Sequence, residues 1–160
     1  MHETLPLRTH FGTLRGARTE DAERIVQMVG ALARHHGDTP GLTVEALLRD
    51  ISGTAPWLHL LVAEAGGELA GYAALCGQSR LQFGWRGMDI HHLFTEARFR
   101  GRGIGQGLVR AAGIRAAELS CSYLTVGTHP ENLRAQAFYE SLGFERTAAS
   151  PPRFSLRLGA

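Results

Sequence analysis

Four glycines at alternate positions, from Gly101 to Gly107, lie between a predicted strand over residues 88–95 and a predicted helix over residues 108–119. Glycines at this spacing let successive backbone amides point into one concavity. The N-terminus of the following helix adds partial positive charge at the same place. Arg100 precedes the run and Arg102 lies within it, and both carry forked donors that suit phosphate oxygens. The segment therefore predicts an anion-binding junction between a strand and a helix.

The spacing of these glycines excludes two common phosphate loops. The dinucleotide fingerprint G-x-G-x-x-G fails from Gly101 and from Gly103, because Gln106 and Leu108 occupy the position of the third glycine. The P-loop requires a lysine, and all 17 cationic side chains of this chain are arginines. The same absence of lysine excludes catalysis through a Schiff base on a lysine side chain.

Hydrophobic periodicity and turn residues predict the other elements. Glycines 66 and 67 separate two mostly apolar runs, which is typical of a hairpin. The predicted strands cover residues 13–17, 57–65, 68–76, 88–95 and 123–126, with two short strands within 144–158. The predicted helices cover residues 19–36, 43–51, 108–119 and 133–142. The order β-α-α-β-β-β-α-β-α-β-β is typical of one α/β domain.

Length and composition limit the class of protein. With 160 residues, of which 44% are apolar, the chain can build one core, and we expect a leader over residues 1–12 and one domain over residues 13–160. Cys76 and Cys121 stand apart, which is typical of reduced thiols in a cytoplasmic protein. No apolar run reaches the roughly 18 residues of a membrane helix, so no membrane partner is expected. A net charge of +2 gives little support for nucleic-acid binding.

Two motifs resemble those of one known family. The pattern Arg100-x-x-Gly103-x-Gly105 is similar to the pyrophosphate loop of the GNAT superfamily of N-acetyltransferases, in which acetyl-coenzyme A binds. Downstream, residues 132–144 are similar to the superfamily's N-x-x-A-x-x-F-Y-x-x-x-G-F signature. The resemblance spans roughly residues 13–158 and implies a mixed, mostly antiparallel central sheet flanked by helices. It implies acetyl-coenzyme A as co-substrate and no metal.

The resemblance also implies roles for individual residues. Backbone amides of the strand preceding the loop are expected to hold the thioester oxygen and the pantetheine arm. Tyr139 lies at the family's general-acid position, where a phenol with a pKa of about 10 protonates the leaving thiolate. The implied acetyl-coenzyme A contacts are Leu93, Phe94, Thr95, Arg100, Gly101, Arg102, Gly103, Ile104, Gly105, Gln106, Asn132, Ala135, Phe138 and Tyr139. From the residues themselves, Asn132 is expected to cap its helix.

Within the superfamily, residues 85–95 are most similar to the diamine (spermidine/spermine) acetyltransferases, in which a W-x-G turn precedes a strand bearing an acidic pair. Here His91-His92 replaces that pair, and imidazoles match a polycation less well than carboxylates do. His91 is our candidate for the general base or for a substrate contact. Because side chains alternate along a strand, only one of the two histidines is expected to face the cleft, and His92 is expected to be a hydrogen-bonded structural residue.

These observations favour transfer of an acetyl group to a primary amine of a small molecule, by direct attack in a ternary complex. A diamine or aminoalkyl compound is the first candidate for the acceptor. A protein N-terminus, an aminoglycoside or an amino acid comes next. A catalytically silent coenzyme-A-binding module is the alternative from another class. The resemblance also suggests a homodimer.

Overall fold

The computed structural model describes residues 3–148 and 151–159, which divide into two units, Met1–Gly127 and Thr128–Ala160. The first unit is built on a six-stranded sheet with the strand order β1-β2-β3-β4-β5-β6. The strands are β1 Leu7–Arg8, β2 Thr13–Gly16, β3 His59–Ala65, β4 Glu68–Arg80, β5 Trp85–Thr95 and β6 Tyr123–Val126. All neighbours are antiparallel except β5 and β6, which run parallel.

Helices cover both faces of this sheet. They are α1 Ala22–His35, α2 Val44–Ile51 and α3 Ile104–Glu118, while α4 Leu133–Ser141 belongs to the second unit. On one face, Val62 and Tyr72 pack in a buried cluster with residues of α1 and α2. On the other face, a Cβ added to Gly71 would lie 3.3 Å from Leu108 of α3. The alternation of Gly71 and Tyr72 thus separates the two helical layers.

The predicted α/β class and the mixed, mostly antiparallel sheet are confirmed. Several bounds differ: β4 and β5 are longer than predicted because their pairing continues from Gly77 and Met88 to Arg80 and Trp85. The W-x-G segment therefore lies within β5 and is not a turn. Strand β1, inside the predicted leader, was missed because two residues are too short to show a pattern.

The two predicted terminal strands are not formed by the described residues among 144–158. Pro151 and Pro152 have no amide hydrogen with which to pair. The apolar side chains of Phe154, Leu156 and Leu158 are all at least 80% exposed, so this segment buries no apolar face. Among residues 3–148 and 151–159, no helix combines the length and the apolar character needed to cross a membrane.

A buried ion network joins β2, β3 and the turn that precedes α1. Arg15 donates two hydrogen bonds to the Asp21 carboxylate, at 2.7 and 3.1 Å, and another to Glu64 Oε2 at 2.9 Å. Arg15 and Asp21 are both buried. Burial alone would raise the pKa of Asp21, but the bonds from Arg15 and from the Arg18 amide hold that pKa below its ordinary value.

Replacing Asp21 tests this network. Asp21→Asn is expected to lower the free energy of unfolding by about 3 kcal/mol at neutral pH, because it leaves Arg15 buried without its main partner. The lowered pKa adds stability that is complete above the unfolded value of about 3.9 and is lost as the pH falls through the folded value. Urea unfolding at pH 7 and at pH 3 should therefore show the gap between wild type and variant narrowing with acid.

The pair of Arg49, which is exposed, and Asp50, which is partly exposed, provides a matched control. Asp50→Asn should cost far less, since surface ion pairs are screened by solvent. Equal losses for the two variants, or a gap that stays constant with pH, would contradict a stabilising role for the Asp21 carboxylate.

Candidate active site

The loop before α3 presents unpaired backbone amides. Gly101 and Gly103 take positive φ values of 77° and 82°, and Gly103 is the residue that precedes the first turn of α3. The first helical hydrogen bond runs from the Gly107 amide to Gly103 O, at 2.9 Å. The amides of the three residues between them, 104–106, therefore have no acceptor within the helix. With the positive end of the helix dipole, these amides form a site suited to a phosphate or diphosphate group.

Helix α3 begins four residues earlier than predicted, which changes the role of the later glycines. Gly107 lies inside the helix, and a Cβ there would approach the Phe11 ring to 2.9 Å. Glycine at this position therefore permits close packing of the β1–β2 turn on α3. Because glycine has a weak helix propensity, residues 104–107 were expected to belong to the loop.

The arginines near the loop differ in the contacts that their side chains make. Arg98 pairs with Glu68 at 3.0 Å, so its charge is already partnered. Arg102 is exposed and its guanidinium lies 5.3 Å from the centre of the Phe99 ring. Arg100 is also exposed, with a hydrogen bond of 3.4 Å to Thr95 O. Arg100 and Arg102 are thus the two arginines of the loop that remain accessible to an anion.

Strand β5 has an open edge immediately before this loop. Strand β4 pairs with β5 as far as Thr95, but β6 pairs with it only as far as Ile90, opposite Val126. Within residues 3–127, no strand continues the pairing of β6 along residues 91–95. Within that part of the chain, residues 91–95 of β5 therefore have no strand partner on this side, where the Thr95 carbonyl accepts the hydrogen bond from Arg100.

The direction of the amides in this segment follows from one hydrogen bond. Glu96 donates its amide to Ala70 O at 2.8 Å, so the Glu96 amide points toward the chain of β4. Successive amides of a strand point to alternate sides, which directs the Phe94 amide toward β4 and those of Leu93 and Thr95 toward the open edge. The carbonyl of Phe94 also points toward β4, since a Cβ on Gly71 would lie 2.4 Å from it. Of the three residues whose amides were expected to face the coenzyme, Leu93 and Thr95 direct their amides to the open edge, and Phe94 does not.

A β-bulge brings the two histidines of β5 together. Ala74 is paired with His92 and Leu75 with Ile90, so His91 is the extra residue. Their rings stack with centroids 4.6 Å apart and planes 17° apart. The prediction that the two side chains point to opposite sides is therefore wrong, because a bulge interrupts the alternation of a regular strand.

The two imidazoles have different surroundings. His92 is half-buried and its Nδ1 lies 3.3 Å from the hydroxyl of the buried Tyr72, which confirms a hydrogen-bonded His92. Burial lowers the pKa of His92, and the nearby imidazoles of His91 and His36 lower it further. His91 is exposed. Sequence reasoning missed Tyr72, because it lies within an apolar strand that gives no sign of a polar contact.

The second unit carries the remaining motif on α4. The side chain of Asn132 accepts a hydrogen bond from the Ala135 amide at 3.1 Å, which confirms the predicted cap. Tyr139 is buried, with the rings of Phe138 and Phe144 edge-on at 5.1 and 5.5 Å. Burial raises the pKa of Tyr139, so its phenol stays protonated across the neutral range.

Known proteins are similar to this chain in sequence and in fold. Residues 27–144 match the model of the acetyltransferase (GNAT) family. The thialysine N-epsilon-acetyltransferase of Bos taurus is 30% identical over 143 residues, covering 83% of this chain and 84% of that protein. The N-alpha-acetyltransferase RimI of Mycobacterium tuberculosis is 33% identical over 133 residues, covering 82% and 77%.

Similarity also extends to solved structures. The crystal structure of a transcriptional regulator from Bacillus halodurans is 27% identical and superimposes with a TM-score of 0.74, covering 89% of this chain and 99% of that one. The range that matches the family model, residues 27–144, spans the glycine loop, the histidine pair and the α4 motif through Phe144.

Proposed function

Because the chain belongs to the GNAT acetyltransferase family and is an acetyl-transferring enzyme, we propose that it transfers the acetyl group of acetyl-coenzyme A to a primary amine of a small molecule. The transfer is by direct attack in a ternary complex, with both substrates bound at once. The family uses acetyl-coenzyme A as co-substrate, and the residues of this chain suit that molecule in two places.

The observation that carries the proposal is the junction of an open strand edge with free helix amides. Residues 91–95 of β5 lead within ten residues to the N-terminus of α3. The amides of residues 104–106, with those of Gly101 and Gly103 and the side chains of Arg100 and Arg102, would hold the diphosphate. The pantetheine arm carries amide groups, which would pair with the β5 edge as an added strand does.

When bound, acetyl-coenzyme A supplies an acetyl group activated as a thioester. The amides of Leu93 and Thr95 would donate hydrogen bonds to its carbonyl oxygen, where negative charge develops during attack. Since these amides are held by the β4–β5 ladder, their orientation requires no rearrangement. Asn132, Ala135 and Phe138 on α4 are proposed as further contacts with the coenzyme.

Two proton transfers remain to be assigned. The acceptor amine is an ammonium ion in solution and leaves as an amide with a single N–H, so its nitrogen loses two protons. We propose that His91 accepts the first of these two protons from the nitrogen. His91 is exposed and stacks on His92, whose pKa is lowered by burial. Tyr139 gives its proton to the departing sulfur, and the second nitrogen proton replaces it.

The acceptor class is narrowed by the relatives and by the histidines. The name of the bovine relative indicates transfer to the side-chain amine of an amino acid, and an aminoalkyl compound of this kind is our first candidate. Replacement of an acidic pair by His91 and His92 argues against a highly charged polyamine. A protein N-terminus is the second candidate, favoured by the similarity to RimI.

A thiol-release assay over a panel of amines tests the proposed function. We expect turnover with thialysine, lysine or a short diamine, and less with spermine and with peptides bearing free N-termini. Preference for a peptide would shift the assignment to the second candidate. Binding of coenzyme A without turnover on any amine would indicate a silent binding module.

In the same assay, Tyr139→Phe is expected to lower kcat by about 10²-fold with little change in the KM for acetyl-coenzyme A.

The role of His91 predicts a specific change in pH dependence. Protonation of a general base lowers kcat/KM on the acid side, so His91→Gln should reduce kcat/KM and abolish its acid limb. His92→Gln, which keeps His91, is the matched control and should retain the limb. An acid limb unchanged in His91→Gln excludes His91 as the base, and loss of the limb only in His92→Gln would move the role to the neighbouring ring.

A further inference from the structure

The structure assigns a positioning role to His10, which lies in the turn between β1 and β2. We propose that His10 holds the loop before α3 in the conformation that binds the coenzyme diphosphate. The inference rests on the proposed use of acetyl-coenzyme A and adds a residue outside both sequence motifs. His10 does not touch the reacting atoms in this account, and its effect is exerted through the loop backbone.

The contact that carries the proposal is a hydrogen bond to the loop. His10 Nε2 lies 2.9 Å from the carbonyl oxygen of Arg102. A carbonyl oxygen can only accept, so Nε2 carries the hydrogen and donates it. In a trans peptide the C=O and the following N–H point in opposite directions. Fixing Arg102 O toward His10 therefore directs the Gly103 amide away from His10. In this proposal, that amide joins those of residues 104–106 in holding the diphosphate.

Packing confirms that the ring is seated against the loop. A Cβ added to Gly103 would lie 3.4 Å from His10 Cε1, which is ordinary contact distance. Gly103 has a φ of 82°, a conformation that glycine adopts without steric cost. The neighbouring Phe11 packs at Gly107, one turn into α3. Two consecutive residues of the turn thus contact the start and the first turn of the phosphate-binding helix.

The turn that carries His10 is itself fixed. The amide of Thr9 donates to Gly12 O at 2.8 Å, and the hydroxyl of Thr9 also donates to Gly12 O, at 3.1 Å. The flanking strands pair Leu7 with Leu14 and Arg8 with Thr13. The backbone that carries His10 is therefore held by the sheet before any ligand binds. Such preorganisation lowers the entropy lost when an exposed glycine loop closes on an anion.

A comparison of two acetyl donors tests the proposal on the full-length chain. S-Acetylpantetheine has the thioester and the pantetheine arm of acetyl-coenzyme A but lacks the diphosphate. His10→Ala is expected to weaken coenzyme A binding about fivefold to tenfold in calorimetry, which is the range for losing one hydrogen bond. The ratio of kcat/KM for acetyl-coenzyme A to that for S-acetylpantetheine should fall by the same factor, while kcat at saturating acetyl-coenzyme A is retained.

His10→Gln is the matched variant, because its side-chain amide places an N–H donor near the position of Nε2. It should restore most of the affinity that His10→Ala loses. Unchanged affinity for coenzyme A in His10→Ala would overturn the role of His10 and leave the proposed function intact. Equal losses with both donors, or no rescue by glutamine, would also overturn it. Failure of the wild-type chain to bind coenzyme A would overturn both.

Discussion

Beyond Ile90, strand β5 has a partner on one side only, because β6 ends opposite it while β4 continues to Gly71. This separation of β5 from β6 is the feature on which the candidate site depends. It leaves the amides of Leu93 and Thr95 free for a ligand. The other side of β5 is paired with β4, toward which the amides of Phe94 and Glu96 point. The same strand carries the stacked histidines and leads, after Thr95, to the N-terminus of α3.

Two local irregularities convert this sheet into a site. The bulge at His91 places adjacent imidazoles in contact, with the ring of His91 exposed and that of His92 half-buried and bonded to Tyr72. The positive φ values of Gly101 and Gly103 turn the chain from β5 into α3. Both irregularities are supported by neighbouring elements, the bulge by β4 and the loop by the β1–β2 turn. Backbone features of this kind persist where packing around them is regular.

Local signals in the sequence predicted a large part of this arrangement. The alternate glycines predicted a junction between a strand and a helix, and Asn132 three residues before Ala135 predicted a helix cap, since both depend on short-range backbone geometry. The stacking of His91 on His92 could not be predicted, because it depends on the register between β4 and β5. The contacts of His10 with Arg102 and of Arg15 with Glu64 join residues far apart in sequence, and no periodic pattern records such pairs.

Amide hydrogen exchange, followed residue by residue by NMR with and without acetyl-coenzyme A, tests the central assignment most directly. In the free protein, the amides of Leu93 and Thr95 should exchange faster than that of Phe94, which is protected by β4. The coenzyme should slow exchange at Leu93, at Thr95 and at residues 103–106, and change Phe94 little. Unaltered exchange at these open-edge and loop amides, in a sample shown to be saturated, would contradict the account.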